Sequence, residues 1–376
     1  MLSNLELTNF KAFAKQDFAV APLTLLTGLN SSGKSTVLQA LALLRQSYDA
    51  NLLFDVLDPD PGFLLNGDLV ELGTGRDVRH EAYGESSPDI SVALTAGGQK
   101  YTWTSVYGPE DDFLVLRSPD DDARRALAPG SGVNLFSAGF QYLKADRITP
   151  AVSYPRSRHA VVGRGFLGPR GEHTVNFVRT FQDRPIPNPA LARPEQPSLG
   201  LLDQTQAWLQ WLCPGVNIQA VGIEGTDSVR LSYGFGAGAS ASNRYRPTNV
   251  GFGLTYALPI VVACVSAEPG SLLLLENPEA HLHPQGQTWL ARLAGQAAAG
   301  GVQIIMETHS DHVLNGLRLL VKEGTLESDH TAVHFFRRTG TATEVVSPQV
   351  GPDGMLSEWP RGFFDEWENS LDQLLD

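Results

Sequence analysis

The stretch Gly28-Leu29-Asn30-Ser31-Ser32-Gly33-Lys34-Ser35 fits the pattern G-x-x-x-x-G-K-[ST]. Glycines let such a loop turn tightly, and exposed N–H groups cradle phosphate oxygens. The lysine reaches the β- and γ-phosphates, and the serine hydroxyl ligates Mg²⁺. Lys34 and Ser35 hold those last two positions. Two later stretches also end an apolar run in ionisable residues. Leu272-Leu273-Leu274-Leu275-Glu276 reads as a buried strand delivering a carboxylate, and residues 302–306 read as a strand ending in Glu307-Thr308-His309-Ser310. The chemistry these groups offer together is phosphate and Mg²⁺ binding with hydrolysis of a phosphoanhydride.

A phosphate loop works only when it leaves a buried strand and opens a helix whose N–H groups face the anion. Residues 23–27, Leu-Thr-Leu-Leu-Thr after Pro22, supply the strand. Val37, Leu38, Leu41, Ala42 and Leu44 recur at helical spacing behind the loop. Upstream, Leu5, Leu7 and residues 10–13 give a first strand and turn, and residues 18–20 a second. Asn9-Phe10-Lys11 with Phe13 offers an aromatic or a cation beside an adenine, or simply core. Residues 90–94 and 101–106 alternate around Gly97-Gly98 as a hairpin. From 111 to 214 the chain is loop-rich and broken by prolines. Ala207, Trp208, Trp211 and Leu212 predict one short amphipathic helix there, and sustained heptads are absent. Order returns with the alternating strand at 229–233 and a Gly/Ala/Ser loop through Ser242. Asn249-Val250-Gly251-Phe252-Gly253 then opens an apolar helix, a glycine pair that permits close approach to an anion. Asp311 is placed to cap the helix carrying Val313, Leu314, Leu317 and Leu320.

The chain has 376 residues, 42% hydrophobic and 18% charged, with a net charge of −13. This describes an ordinary globular protein and argues against coating nucleic acid by bulk attraction. A surplus of cations is nevertheless local. Between Arg147 and Arg193 the only carboxylates are Glu172 and Asp183, whereas acids crowd elsewhere, as in Asp120-Asp121-Asp122. Such a segment is a nucleic-acid groove, a nucleotide-contacting edge or a solvated face. Arg147, Arg156, Arg158, Arg164 and Arg170 are its candidate contacts. No apolar run reaches 18 residues and no signal-peptide pattern opens the sequence, so a cytoplasmic protein without membrane association is expected. Cys213 and Cys264 cannot make a disulfide framework and read as reduced packing residues.

These pieces together resemble the ABC-class ATPases of the SMC, RecF and OLD kind. The chain is more closely similar to stand-alone bacterial AAA-type ATPases that share Glu-Asn-Pro-Glu-Ala-His-Leu-His-Pro, Glu-Thr-His-Ser-Asp-His and Trp-Pro-x-Gly-Phe-Phe-Asp. Here those motifs are residues 276–284, 307–312 and 359–365. The resemblance implies an α/β P-loop NTPase of ABC ATPase head type. Its core would be a mixed antiparallel and parallel sheet with a helical, loop-rich insertion and no long coiled coil. It implies an ATPase lobe at 1–110 with the Walker A loop and an antiparallel subdomain, then an Arg-containing insertion at 111–215. A second lobe at 216–345 would carry the signature-like segment, Walker B and switch histidine, and a tail at 346–376 would pack on the core. It further implies that ATP and Mg²⁺ bind at a homodimer interface. Gly28, Asn30, Ser31, Ser32, Gly33, Lys34, Ser35 and Thr36 would form Walker A. Glu276 would hold Mg²⁺ with Ser35, and His309 would be the switch histidine. Asn249, Gly251 and Gly253 would reach the ATP of the other subunit. The implied biology is control of a separate effector, a nuclease or toxin, in anti-phage defence or DNA repair.

Departures from the pattern matter. Active relatives carry a second carboxylate directly after the Walker B acid, but here that position is Asn277, and an amide orients water without taking its proton. Glu279 or His309 is the candidate substitute base, and slow turnover is expected. The alternative is an ATP-gated scaffold that scarcely hydrolyses. His281, His283, His309 and His312 with Glu279 also suggest a metal centre, although no zinc signature is matched. A metabolite kinase or GTPase is disfavoured, because neither needs the Gly251/Gly253 segment. The tail apolar residues Trp359, Phe363, Phe364, Trp367, Leu371, Leu374 and Leu375 read as a helix packed on its own core, with a partner-docking helix as the other reading.

Overall fold

A computed structural model describes residues 1–53, 60–81, 89–117, 121–128, 130–236, 241–340 and 342–375. Asp120 and most of the Gly/Ala/Ser loop before Ser242 therefore lie outside the described residues, as do the side chains of Asp121, Asp122 and Trp367. The chain forms two compact units. One comprises Met1–Ser137, Thr331–Gln349 and Leu356–Asp376, and the other Ala138–His330 and Val350–Met355.

In the first unit, strands run in the order Phe13–Ala19, Leu2–Phe10, Ile90–Ala96, Gln99–Ser105, all antiparallel. The alternating residues at 90–105 give this sheet one buried face, the register that period-two patterning specifies. Phe10 and Phe13 lie in that core, which removes them as adenine contacts. The Leu23–Gly28 strand, buried along its length to Thr27, pairs in parallel with Thr331–Thr339, which pairs antiparallel with Ala342–Val346. Such a continuous apolar run is what a strand covered on both faces needs. The tail contributes Phe363, fully buried edge-on against Phe335 of the Thr331–Thr339 strand. The helix Glu366–Leu375 departs from the expectation of a packed tail: Leu374 and Leu375 are 81% and 77% exposed.

In the second unit, Leu272–Glu276 lies between Phe140–Leu143 and Gln303–Thr308, parallel to both. Its four leucines are fully buried. The Phe252–Ser266 helix is buried from Leu254 to Val265, an all-round apolar helix of the kind found only in an interior. Pro284–Ala299 packs on Asp311–Lys322, with Gly316 so close to Ala291 and the Thr288 carbonyl that a Cβ there would collide with both. A separate antiparallel sheet holds Val216–Gly222, Ser228–Phe235 and Tyr154–Pro155. Two local expectations shift. The helix near Trp208 is Leu201–Leu209, leaving Trp211 beyond its end and 53% exposed. The cap of Asp311–Lys322 is Ser310, whose hydroxyl accepts from Val313 N at 3.1 Å, while Asp311 occupies the first turn. Cys264 is buried and Cys213 partly so, both free thiols, and burial pushes Cys264 up to about 12. The longest helices have 16 residues, so the described residues contain no long coiled coil, and none of their helices is long and apolar enough to cross a membrane.

Candidate functional site

The phosphate loop is built on backbone geometry that its sequence permits. Gly28 leaves the strand at φ 139°, with the Phe336 carbonyl oxygen 2.1 Å from where a Cβ would stand, so only glycine fits. Ser31 and Gly33 also take positive φ, and the Lys34–Asp49 helix starts directly behind them. Ser32 Oγ donates to the Leu29 carbonyl at 2.7 Å and closes the turn. Lys34 is buried, and its Nζ donates to the carbonyls of Gly28 at 3.1 Å and Leu29 at 2.7 Å. Asn30 and Ser31 are exposed, Gly33 and Ser35 partly so, and Thr36 is buried. The first helical turn carries no acid, which leaves its N-terminal dipole favourable to an anion.

The second unit gathers the acids. Glu276 ends its strand with Oε1 accepting from the buried Tyr142 hydroxyl and Oε2 from Ala145 N at 3.0 Å. Burial, the Glu276 charge and this hydrogen bond all hold the Tyr142 phenol well above its ordinary value, so it remains a donor. Asn277 follows at φ 40°, a left-handed conformation that asparagine tolerates, with its N–H on the Glu307 carbonyl at 2.9 Å. Glu279 is 8% exposed, and its Oε1 accepts from His309 N at 2.8 Å. Burial raises the Glu279 carboxyl above the usual carboxylate range, and the hydrogen bond from His309 works the other way. Glu279 Oε2 and Asn277 Oδ1 are buried acceptors with no partner among the described residues. The His309 side chain stands exposed at the end of Gln303–Thr308.

Arg147 is not a surface cation. It is 1% exposed and donates from Nη1 to the Glu276 carbonyl at 2.7 Å and from Nη2 to the Asn277 carbonyl at 2.8 Å, which removes it from any nucleic-acid contact. Arg156, Arg158 and Arg170 remain exposed and Arg164 partly so, with Arg170 paired to Asp146 at 3.3 Å. The histidine cluster does not form. His281 packs edge-on against Phe252 and Tyr256, and His283 accepts from Gln285 N as the cap of Pro284–Ala299. Among the described residues the one group with metal-ligand spacing is Glu327, Asp329 and His330, which includes none of these histidines and not Glu279.

Asn249 ends a short 3₁₀ turn, Pro247–Asn249, and Gly251 caps the Phe252–Ser266 helix. Asn249, Gly251 and Phe252 are exposed, and a Cβ on Gly251 would meet nothing within 4 Å. Gly253 differs: its Cβ would stand 2.8 Å from the His281 carbonyl oxygen. A cavity of about 390 Å³ opens beside both glycines, with Trp211, Leu254 and Leu282 in its wall.

The sequence reading overlooked Tyr142, Ala145 and Tyr256. The only signal was the polar, charged run Lys144-Ala145-Asp146-Arg147 after a short stretch too brief to announce a strand.

A family model described as "AAA domain, putative AbiEii toxin, Type IV TA system" matches residues 23–126 and 193–315, more than half of the chain. A second, described as "Protein of unknown function (DUF3696)", matches residues 326–374. An OLD nuclease of Thermus scotoductus is 26% identical over 371 residues, covering 90% of this chain and 64% of that protein, so the chain spans about two thirds of that relative's length. Among solved structures, an Smc head bound to the C-terminal winged-helix domain of ScpA superposes with a TM-score of 0.54 at 14% identity, covering 93% of this chain and 98% of that one. The Pyrococcus furiosus Smc head with an extended coiled coil, bound to the C-terminal domain of ScpA, gives 0.51 at 13% identity over 100% of both chains. The fold is that of an SMC-head-like P-loop NTPase.

Proposed function

Because the chain belongs to the AAA-domain family whose model covers its phosphate loop and its Glu276 strand, we propose that it is an ATPase that pairs with a second copy of itself on ATP. Pairing would control a separate effector, a nuclease or toxin, in defence against phage or in DNA repair. The observation that carries this reading is the start of the Phe252–Ser266 helix. Its N-terminus is exposed, lacks acids in the first turn, and has open space at Gly251 beside exposed Asn249, as an anion presented by another molecule requires.

In this reading Lys34 exchanges its two loop carbonyls for phosphate oxygens, and the loop N–H groups complete the cradle. Ser35 and Glu276, each within its own unit, would offer Mg²⁺ the hard oxygen donors it takes, and Glu276 keeps lone pairs beyond those used by Tyr142 and Ala145. The ion would supply neutralisation of charge on the phosphates. Asn277 orients the attacking water, and Glu279, whose burial raises its affinity for protons, accepts the proton. His309, anchored through its main chain to Glu279, answers to the γ-phosphate.

Asn277 also favours a second reading, an ATP-gated scaffold that scarcely turns over. Molar mass in solution with and without ATP and Mg²⁺, for wild type and Glu276→Gln with phosphate release alongside, decides between them. Mass doubling that the variant prolongs supports the split-site ATPase. Doubling with no phosphate release supports the scaffold, and a mass indifferent to nucleotide with normal turnover overturns both.

A further inference from the structure

Among the described residues the buried Arg147 guanidinium hydrogen-bonds to no carboxylate. It is held by three main-chain carbonyls, those of Lys144 at 3.0 Å, Glu276 at 2.7 Å and Asn277 at 2.8 Å, while its Nε has no partner among the described residues. Burial pulls it down to about 10, partly offset by Tyr256, Glu279 and Glu276. An arginine is a costly way to fill an interior, and a buried donor left unsatisfied adds to that cost. What it gains is a fixed fork spanning the strand end and the turn that follow Glu276.

The other face of the guanidinium lies 4.7 Å from the centre of the Tyr256 ring, one turn into the helix that starts at Phe252. Tyr256 closes a second connection: its hydroxyl donates to the Ala145 carbonyl at 2.9 Å, and Ala145 N donates to Glu276 Oε2. The ring also meets His281 at 4.7 Å, and His281 meets Phe252 at 4.8 Å beside Gly251. The carboxylate of Glu276 and the start of the Phe252–Ser266 helix are thus joined within one unit, through the buried Arg147 and Tyr256 and then the exposed His281 and Phe252.

We propose that Arg147 and Tyr256 are positioning residues that make the two ATP sites of a pair cooperative. This rests on the split-site reading above. Glu276 serves the nucleotide held by its own chain, whereas Asn249, Gly251 and Gly253 serve the nucleotide held by the partner. A shift at Glu276 on filling one site reaches the helix start through the Arg147–Tyr256 contact and presets it for the other site, a coupling between two distinct sites.

The test is the Hill coefficient for ATP, read from nucleotide binding and from phosphate release, in wild type, Arg147→Lys, Tyr256→Phe and Tyr256→Leu. Wild type should exceed 1 toward the two-site ceiling of about 2. Arg147→Lys and Tyr256→Leu should each fall to about 1, and their combination should fall no further. A purely structural role would lower the melting temperature and leave the Hill coefficient in place. Tyr256→Phe keeps the ring over Arg147 and should keep the coefficient, whereas Tyr256→Leu removes the ring and decides the matter if Arg147→Lys does not fold. A reduced Hill coefficient in Tyr256→Leu supports the link, and a wild-type coefficient there overturns it. Molar mass is measured on the same samples. Wild type that doubles on ATP with a Hill coefficient of 1 overturns the link alone, whereas wild type that does not double overturns the split site beneath it.

Discussion

In the proposed reaction Asn277 and Glu279 divide two tasks between them, orienting the water and accepting its proton. Asn277 sits at φ 40°, and glutamate there gives up the tolerance of asparagine for that region, at about 1 kcal/mol. Asn277→Glu should therefore melt slightly earlier yet release phosphate roughly a hundredfold faster, the lower range for a positioned general base. A fall or no change in turnover counts against Asn277 as the missing base position. Glu279 carries its own signature in pH. Its folded carboxyl is raised above the ordinary 4.5, so over the window from 4.5 up to the folded value the folded chain binds more protons than the unfolded one. Stability from this group is full below 4.5 and is lost as pH rises through that window. Glu279→Gln keeps an acceptor for His309 N and does not titrate. Its melting temperature relative to wild type should climb from pH 4.5 upward and then level off, and a flat difference would dismiss the burial argument.

Gly28 and Gly251 should respond differently to substitution because their surroundings differ. Gly28→Ala meets a paired-strand carbonyl at 2.1 Å in a left-handed backbone, so it should lose roughly 2–4 kcal/mol in denaturant melts without any nucleotide present. Gly251→Ala meets nothing, so it should melt within about 0.5 kcal/mol of wild type and lose ATP-driven mass doubling. Equal effects in both assays would place Gly251 in the fold and not in the partner's site. The strands Leu23–Gly28, Leu272–Glu276 and Gln303–Thr308 were legible because unbroken aliphatic runs ending in polar residues leave few other readings. Phe140–Leu143 was not, since four residues with a glutamine among them give no period, and their burial comes from a partner strand about 130 residues away. Arg147 was misread for a related reason: its cage is made largely of main-chain carbonyls, which leave no mark in a sequence. Ser310 displaced Asp311 as the cap because its side chain reaches Val313 N from outside the first turn.

At the scale of the whole molecule, a net charge of −13 confines any nucleic-acid contact to local patches. With Arg147 inside and Arg170 on Asp146, Arg156 and Arg158 are the exposed pair that remains. Reversing both to glutamate should weaken DNA binding uniformly across sequences and reduce its salt slope by about 2, measured by titration at several salt concentrations. An unchanged slope would assign that face to solvent.

The pairing of Leu23–Gly28 with Thr331–Thr339 carries a consequence for how the protein is made. The strand that delivers the phosphate loop leaves the ribosome first and waits for this partner while about 300 further residues are added, roughly 15–60 s at ordinary rates of synthesis. Through that interval a run of leucines that is buried in the folded chain has an open edge, the kind of surface on which nascent chains aggregate. It also means that a fragment from an interrupted translation lacks the strand that seats Gly28, so only a chain made through this strand has the phosphate loop in its finished form.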